Sequence, residues 1–351
     1  MAVARSLVTG ACGFIGTHLV EELVAAGHEV VATDLPAAYA LDPDDLGGGR
    51  YPSVLRRLGV RFVGADVRDP GQLAAVVDSF DFVFHVASVF NYSAPWSVYA
   101  AVNLGGTQNL LDLLAQRAPH LQRFVLWGAG GVYGLPSFQQ GPFHEGMPPA
   151  PPNDYLRAKW FQEHHTMDFC TARGIPWTIL RPTTVYGPRL VYGFAAVLRS
   201  AARANPVLAP ACLDGHVPLV HVRDVTGAAL HLANCPTGTG IFNLNDDSPY
   251  TSVDVFRVVA ELQGRRFFPI PGLRCAWIKA GARLAAEASS VLTRLRPGMK
   301  PLVEGPTVDF LDCDFHYDNS KLKKTGYQLR YPDARPGFRE TIDWYREQGL
   351  L

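Results

Sequence analysis

The sequence lacks paired cysteines and long apolar runs. Its six cysteines are scattered singly along 351 residues, with no Cys-x-x-Cys pair and no His/Cys cluster at metal-ligand spacing. This pattern argues against a disulfide framework or a structural zinc, and it predicts no metal site. No segment approaches the roughly 20 uncharged apolar residues that cross a membrane. Residues 1–8 also lack the apolar region of a secretory signal, so we expect a cytoplasmic protein.

The chain has no excess of charge of either sign. Its 32 basic and 32 acidic side chains balance, and its pI is near 7.2. Without a global positive field, a nucleic-acid partner is disfavoured. Hydrophobic residues make up 48% of the chain, enough for a substantial core. The composition therefore favours a globular protein that acts on small molecules.

Apolar runs and helical patterns alternate through the first half of the chain. The run 6–9, the helical pattern 16–26 and the run 28–33 form a predicted β-α-β unit. Strands that alternate with helices predict an α/β fold of the Rossmann type, with a doubly wound parallel sheet. The further strand-like and helical segments lie at 60–63, 72–77, 82–86, 103–115, 123–127, 155–172 and 177–180.

The rhythm changes after Pro182. The remaining chain holds irregular pieces rich in proline and glycine, and one isolated strand-helix segment at 217–235. We predict a cofactor-binding domain at 1–182, with 217–235 packing back onto it. Residues 183–216 and 236–351 are predicted to form a smaller, less regular C-terminal substrate lobe.

A glycine-rich motif lies between the first strand and the first helix. Thr9 to Gly16 reads TGACGFIG, with glycines at Gly10, Gly13 and Gly16. The pyrophosphate of a dinucleotide meets a helix N-terminus at such a turn, where glycines permit a tight bend and a close approach. The alternative is an ordinary strand-to-helix turn, and the β-α-β context favours the dinucleotide site.

Asp34 ends the second predicted strand, eighteen residues past Gly16. An acidic residue at this place is expected to accept hydrogen bonds from an adenosine ribose and to repel a 2′-phosphate. No arginine follows in the next few positions. The sequence therefore predicts NAD rather than NADP as the cofactor.

Tyr155 and Lys159 are four residues apart on a predicted helix, so they share one face. A free tyrosine titrates near pH 10, and a neighbouring ammonium group favours its phenolate. Such a phenolate can take a proton from an alcohol. The pair is the predicted catalytic centre, although Tyr-x-x-x-Lys alone also occurs on solvent-facing helices.

These motifs occur in order over nearly the whole chain, and together they resemble the extended short-chain dehydrogenase/reductase family. The resemblance rests on Thr9 to Gly16, Asp34, Asp66-Val67, His85 to Ser88, Asn103 with Gly106-Thr107, Val132 to Gly134, Tyr155 with Lys159, and Arg181 to Pro188. It implies further cofactor contacts: Phe14 and Ile15 beside the pyrophosphate, Asp66 and Val67 flanking the adenine, Ala87 in the cofactor channel, and Pro182 and Val185 beside the nicotinamide. It also implies that Tyr155 and Lys159 contact the cofactor, with Lys159 on a ribose.

One position departs from the family pattern. The resemblance implies a serine or threonine where this chain has Ala129, which cannot donate a hydrogen bond to the reacting oxygen. Ser88 and Thr183 are the nearest substitutes by motif position. Gly130 and Gly131 stand where the sugar-nucleotide dehydratases of the family carry an Asp-Glu pair, so that reaction is disfavoured.

The C-terminal half resembles the subgroup of 3β-hydroxysteroid dehydrogenases and sterol-4-carboxylate 3-dehydrogenases (decarboxylating). Long-chain β-hydroxy acid dehydrogenases are close relatives of that subgroup. The resemblance rests on residues 240–246, 269–301, 314–318 and 321–327. It implies oxidation of a hydroxyl on a hydrophobic substrate, with decarboxylation as a following step for a 4-carboxysterol.

The residues themselves leave the substrate open. Aromatic side chains near the catalytic helix suit a large apolar substrate, whereas Arg189, Arg199 and Arg203 suit the diphosphate of a nucleotide sugar. The pattern of 273–295 indicates an amphipathic helix that either contacts a membrane surface, covers an apolar pocket, or packs in the lobe with a solvated face. The aromatic side chains are Phe90, Tyr92, Trp96, Phe138 and Phe143.

Three functions follow from these observations. The first is an NAD-dependent dehydrogenase for a hydrophobic alcohol with Tyr155 as base. The second is a nucleotide-sugar 4-epimerase with bound NAD, and the third is an NAD-binding protein weakened in catalysis by Ala129. The resemblance also implies a homodimer through the Tyr155 helix and the helix after Asn103.

Overall fold

The computed structural model describes residues 3–136, 141–295 and 305–351, without the side chains of 289–295. Phe138 and the last side chains of the predicted helix 273–295 therefore lie outside the described residues. Within the described ranges, no helix is long and apolar enough to cross a membrane.

Seven parallel strands form one large sheet in the order β3-β2-β1-β4-β5-β6-β10. Their buried apolar side chains lie on both faces, as a sheet covered by helices requires. Two small parallel pairs, β7-β9 and β8-β11, lie outside it. The strands are β1 Arg5–Thr9, β2 Glu29–Thr33, β3 Arg61–Phe62, β4 Phe82–His85, β5 Arg123–Trp127, β6 Trp177–Pro182, β7 Thr184–Tyr186, β8 Val207–Pro210, β9 Leu219–His221, β10 Gly240–Leu244 and β11 Phe267–Ile270.

Helices alternate with the strands and cover the large sheet. A π-helix at Ala100–Gly105 leads directly into α6, and 3₁₀ helices occupy Gly130–Tyr133 and Gly305–Phe310. The α-helices are α1 Phe14–Ala25, α2 Pro36–Tyr39, α3 Pro52–Leu58, α4 Pro70–Val76, α5 Trp96–Tyr99, α6 Gly106–Arg117, α7 Asp154–Ala172, α8 Phe194–Arg203, α9 Val222–Asn234, α10 Ser252–Leu262, α11 Cys275–Leu295, α12 Ser320–Lys324 and α13 Ala334–Glu347.

The large sheet confirms the predicted fold class, with one difference from the predicted domain boundaries. Helix α9, within the segment 217–235, packs into the core with α1. Strand β10 lies within the segment 236–351 that the sequence assigns to the lobe, but it pairs with β6 and forms one edge of the sheet. The apolar run of β10 is interrupted by the buried Asn243. The Asn243 side chain accepts a hydrogen bond from the Tyr133 hydroxyl and donates one to the Phe143 carbonyl. This polar residue is why the sequence pattern did not predict the strand.

Helix α11 directs its apolar side outward. Trp277 is 63% exposed and Leu284 is 68% exposed, whereas Lys279 and Arg283 on the other side pair with Asp312 and Asp309. The exposed Trp277 and Leu284 distinguish α11 from a packed lobe helix, although Arg283 is exposed as well. Membrane contact through this segment stays a prediction, as does the cytoplasmic location.

Candidate functional site

The glycine motif lies at the carboxyl end of β1, beside the point where the strand order reverses between β1 and β4. Ligands bind at such switch points in open parallel sheets. Gly10 has φ +67°, and a Cβ there would lie 2.8 Å from the backbone nitrogen of Ala87. Only glycine fits this close approach of two strand ends.

Gly16 and Gly13 shape the start of α1. A Cβ on Gly16 would lie 2.1 Å from the carbonyl oxygen of Gly10. Gly13 precedes Phe14 as the N-cap and provides no side-chain cap, so the first N–H groups of this 12-residue helix remain available to an anion. The cradle fits the pyrophosphate of a dinucleotide.

We expect Gly16→Ala to weaken NAD binding by about 100-fold, which is roughly 3 kcal/mol. The added Cβ must push the Gly10 carbonyl, and with it the turn that faces the pyrophosphate. Titration of the nicotinamide dinucleotide by calorimetry measures the change. Gly281→Ala is the matched control, since its Cβ meets nothing within 4 Å; unchanged binding in Gly16→Ala would contradict this account of the loop.

Asp34 is buried behind the glycine motif. Its Oδ2 accepts the N–H of Cys12 at 3.0 Å, and its Oδ1 accepts the N–H of Leu35 at 2.8 Å. Each carboxylate oxygen keeps a further acceptor position for a ribose hydroxyl. Arg50 was not predicted from the sequence; its Nη1 lies 3.4 Å from the position that a Cβ on Gly13 would take. Arg50 reaches the glycine motif from a later loop, so the spacing of residues within the motif could not predict it.

Most of the other predicted cofactor residues follow the carboxyl ends of strands, where the fold places a dinucleotide. Asp66 pairs with Arg68, which lowers the pKa of the Asp66 carboxyl, while Val67 packs against Gly106. Phe14 and Ile15 open α1, Ala87 follows β4, Pro182 ends β6, and Val185 lies in β7. Their contacts with the cofactor stay predictions.

Tyr155 is 6% exposed and enclosed by aromatic rings. The ring centroids of Phe90, Tyr92 and Tyr99 lie 5.3, 5.1 and 6.1 Å from that of Tyr155. Burial, followed by the neighbouring phenols Tyr92 and Tyr99, raises the pKa of Tyr155 well above its ordinary value near 10. The Tyr155 side chain is therefore a neutral phenol at neutral pH.

Lys159 lies one turn further along α7 and is 3% exposed. Its ammonium donates to the carbonyl oxygen of Trp127 at 2.9 Å and to Gln162 Oε1 at 3.2 Å. Burial lowers the pKa of Lys159 to about 7, and the Glu163 carboxylate opposes this shift. Gln162 was not predicted, although its spacing of three residues from Lys159 places both on one helix face.

Glu163 and Arg181 form a buried ion pair behind the catalytic helix. The guanidinium donates twice to Glu163 Oε2, at 3.0 and 2.7 Å, and its centre lies 4.7 Å from the ring of Tyr133. Burial raises the pKa of Glu163, and Arg181 opposes that shift. The ion pair therefore links α7 to β6.

Ala129 packs in the same apolar cluster as Tyr155. The position where the family pattern has a serine or threonine hydroxyl is therefore occupied here by a methyl group. Thr183 donates its hydroxyl hydrogen to the carbonyl of Leu244 at 3.1 Å and is thereby engaged. The buried Oγ of Ser88 has no hydrogen-bond partner among the described residues. Ser88 therefore fits the role of substitute donor better than Thr183.

The arginines predicted for a diphosphate are partly committed elsewhere. Arg189 pairs with Glu21 on α1 at 2.5 Å, and Arg203 donates to the carbonyl of Leu350. Arg199 has a buried Nε with no partner among the described residues. In the described part of the chain, no group of three or more His, Cys, Asp or Glu side chains could hold a metal ion.

A glycine cradle at a helix N-terminus, an acidic residue after β2 and a buried Tyr-Lys pair define a dinucleotide-dependent enzyme of the Rossmann type. The chain belongs to the NAD-dependent epimerase/dehydratase family, whose sequence model matches residues 6–244. NAD is its cofactor. The family lies within the extended short-chain dehydrogenase/reductases, so the wider resemblance is confirmed.

Relatives in this family carry different activities. A dTDP-glucose 4,6-dehydratase from Actinoplanes sp. is 32% identical over 97% of this chain and 98% of its own length. A 3β-hydroxysteroid dehydrogenase/Δ5→4-isomerase from Mycobacterium tuberculosis is 28% identical over 93% and 86%. The crystal structure of Thermus thermophilus UDP-glucose 4-epimerase with NAD matches with a TM-score of 0.69 and 25% identity, over 97% of this chain and 99% of that one.

Proposed function

We propose that the chain oxidises and re-reduces a secondary alcohol, with Tyr155 as the base and Lys159 as its supporting cation. One observation carries the proposal: both side chains are buried one turn apart on α7. This helix begins on the side of the sheet where the strands have their carboxyl ends, which is also the side of the glycine cradle. NAD held at the glycine cradle would accept a hydride from the carbinol carbon and, in an epimerase, would return it to the opposite face.

The protein's own groups handle the proton. Tyr155 takes the hydroxyl proton as the alcohol becomes a ketone, and it returns that proton when the ketone is reduced. Lys159 stabilises the phenolate only while the ammonium is charged. Since burial lowers the pKa of Lys159 to about 7, protonation of this residue near neutral pH is coupled to the activity.

We propose that the substrate is a nucleoside diphosphate sugar and that the net reaction is 4-epimerisation. The family match and the Thermus thermophilus epimerase support this choice. Dehydration is less well supported despite the Actinoplanes relative, because Gly130 and Gly131 provide no carboxylate to remove a proton next to the ketone. An epimerase needs only the alcohol chemistry of Tyr155.

A second candidate is the dehydrogenase for a hydrophobic alcohol such as a steroid, a sterol or a long-chain β-hydroxy acid. The aromatic surroundings of Tyr155 favour this candidate. The ring centroids of Phe90 and Tyr192 lie 5.5 Å apart, and those of Tyr92 and Phe310 lie 6.3 Å apart. The commitment of Arg189 to Glu21 also removes one expected diphosphate ligand. The mycobacterial hydroxysteroid dehydrogenase is a relative with that kind of activity.

Product analysis separates the two candidates. The purified protein is incubated with UDP-glucose, dTDP-glucose or a 3β-hydroxysteroid, each with NAD, and both sugar epimers and released NADH are measured. Interconversion of sugar epimers without net NADH supports the epimerase. NADH in proportion to oxidised steroid, with no epimer formed, would replace it with the second candidate.

We expect Ala129→Ser to raise turnover by about tenfold, because one hydrogen bond to a developing charge lowers the barrier by about 1.5 kcal/mol. The added hydroxyl would lie in the cluster that contains Tyr155. Steady-state turnover of the substrate found above measures the effect. A fall in turnover would show that another group, such as Ser88, already occupies that role.

A further inference from the structure

We propose that Gln162 is a positioning residue that fixes the ammonium group of Lys159 for the reaction at Tyr155. The inference rests on the proposed roles of Tyr155 and Lys159. Gln162 is 1% exposed and lies three residues after Lys159 on α7. It belongs to none of the motifs that carry the family resemblance.

The ammonium of Lys159 has two fixed acceptors. The carbonyl of Trp127 and the amide oxygen of Gln162 lie 2.9 and 3.2 Å from Nζ. An ammonium group has three hydrogens in tetrahedral arrangement, and it rotates freely when it has no partners. With two hydrogens directed at these acceptors, the direction of the third is fixed as well.

Thr107 determines which way the Gln162 amide faces. The Thr107 hydroxyl donates its one hydrogen to the carbonyl of Asn103 at 2.6 Å, so it can only accept from Gln162 Nε2, which lies 2.7 Å away. A flipped amide would place Oε1 against a hydroxyl with no hydrogen to give and would place an NH₂ group against the ammonium of Lys159. The amide oxygen must therefore face Lys159.

His85 completes the chain of hydrogen bonds. Its Nε2 lies 2.9 Å from Thr107 Oγ1 and donates to it, since the only Thr107 hydrogen is already engaged. Its Nδ1 therefore accepts from Thr9 Oγ1 at 2.8 Å. Burial, and secondarily Lys159, lowers the pKa of His85 to about 3, consistent with a neutral ring. The chain thus links Thr9, beside the glycine cradle, to Lys159 through buried contacts.

Several charged or titratable groups face Lys159. On α7, Tyr155 is a neutral phenol because burial raises its pKa, and Glu163 is paired with Arg181 of β6. On β4, His85 is neutral above a pKa of about 3. Lys159 is therefore the group in this cluster that titrates near neutral pH, and Gln162 acts on it through a neutral acceptor.

The test replaces Gln162 and follows Lys159 directly. We expect Gln162→Leu to lower the pKa of Lys159 by about one unit and Gln162→Glu to raise it, since the first removes an acceptor and the second adds a negative charge. NMR titration of isotope-labelled lysine side chains measures both shifts. The chain has only six lysines, and Lys159→Met assigns the resonance.

The kinetic readout is a pH profile. In Gln162→Leu, kcat should fall about tenfold near neutral pH with little change in the Kd of NAD, and the loss should be smaller at about pH 6 than at about pH 8. Gln116→Leu, at an exposed position on α6, is the matched control and should change neither quantity.

Opposite shifts in the two Gln162 variants support the proposal. An unchanged Lys159 pKa and pH profile, with only a loss of stability, would overturn it and leave Gln162 a packing residue. If the unmodified protein turns over none of the substrates tested, the proposed function fails, whereas the NMR titration still decides the role of Gln162.

Discussion

The Tyr155→Phe variant is expected to lose turnover by about 1000-fold while it binds NAD as tightly as the unmodified chain. The substitution removes the only atom that can accept the proton of the alcohol at this position and leaves the aromatic ring in place. The glycine cradle lies between β1 and α1 and at the start of α1, and Asp34 directly follows β2, so the substitution on α7 is on a different element. Turnover and NAD titration, measured on the same preparation, separate the two effects.

Tyr99→Phe is the matched control for that experiment. Its ring centroid lies 6.1 Å from that of Tyr155, it is equally enclosed, and its hydroxyl donates to the carbonyl of Asn91. We expect a small loss of stability and nearly unchanged turnover. If both variants lose turnover to the same extent, the effect belongs to the aromatic cluster and Tyr155 is not the base.

The Arg181→Met variant is expected to lose about 3–5 kcal/mol of unfolding free energy. The substitution leaves the Glu163 carboxylate buried without its partner at 2.7 Å, and a buried unpaired charge is strongly unfavourable. Denaturant unfolding measures the change. The double variant Glu163→Gln/Arg181→Met should recover most of the loss, because it removes the charge together with its partner.

The pH dependence of the Arg181→Met variant has a definite sign. Without Arg181, burial still raises the pKa of Glu163 and is opposed by the Ala129 backbone N–H and by Lys159, so this pKa in the folded state lies above its ordinary value near 4.5. A raised pKa means that the folded state binds the proton more tightly, so stability falls as the pH rises through the folded-state pKa. The loss should be smallest near about pH 4.5 and largest at neutral pH. A loss that does not vary with pH would show that packing against Tyr133, rather than charge, is responsible.

The sequence was sufficient for the elements whose signals are local. The run 6–9, the glycines and the helical pattern after them specify β1, the cradle and α1 within a few residues, because apolar periodicity and backbone freedom act locally. Strand β10 was not found, since its pairing with β6 joins residues about sixty apart and its run contains the buried Asn243.

Only the site residues that belong to local sequence motifs could be predicted. Tyr155, Lys159 and Asp34 follow from spacing and chemistry. The amide of Gln162, by contrast, has meaning only once Thr107 of α6 is brought within 2.7 Å of it. The pairing of Arg189 with Glu21 likewise joins residues far apart in the chain, so the sequence could not show that this arginine was already engaged.

The proposed mechanism requires that bound NAD is reduced at a site where Tyr155 removes the proton of the alcohol. It is tested most directly by recording the absorbance of the reduced nicotinamide when the NAD-loaded protein is mixed rapidly with UDP-glucose, dTDP-glucose or a 3β-hydroxysteroid. We predict that at least one of these alcohols reduces the bound NAD, and that Tyr155→Phe, with the same NAD content, shows no such signal on that time scale. Reduction at an equal rate in both proteins would contradict the claim.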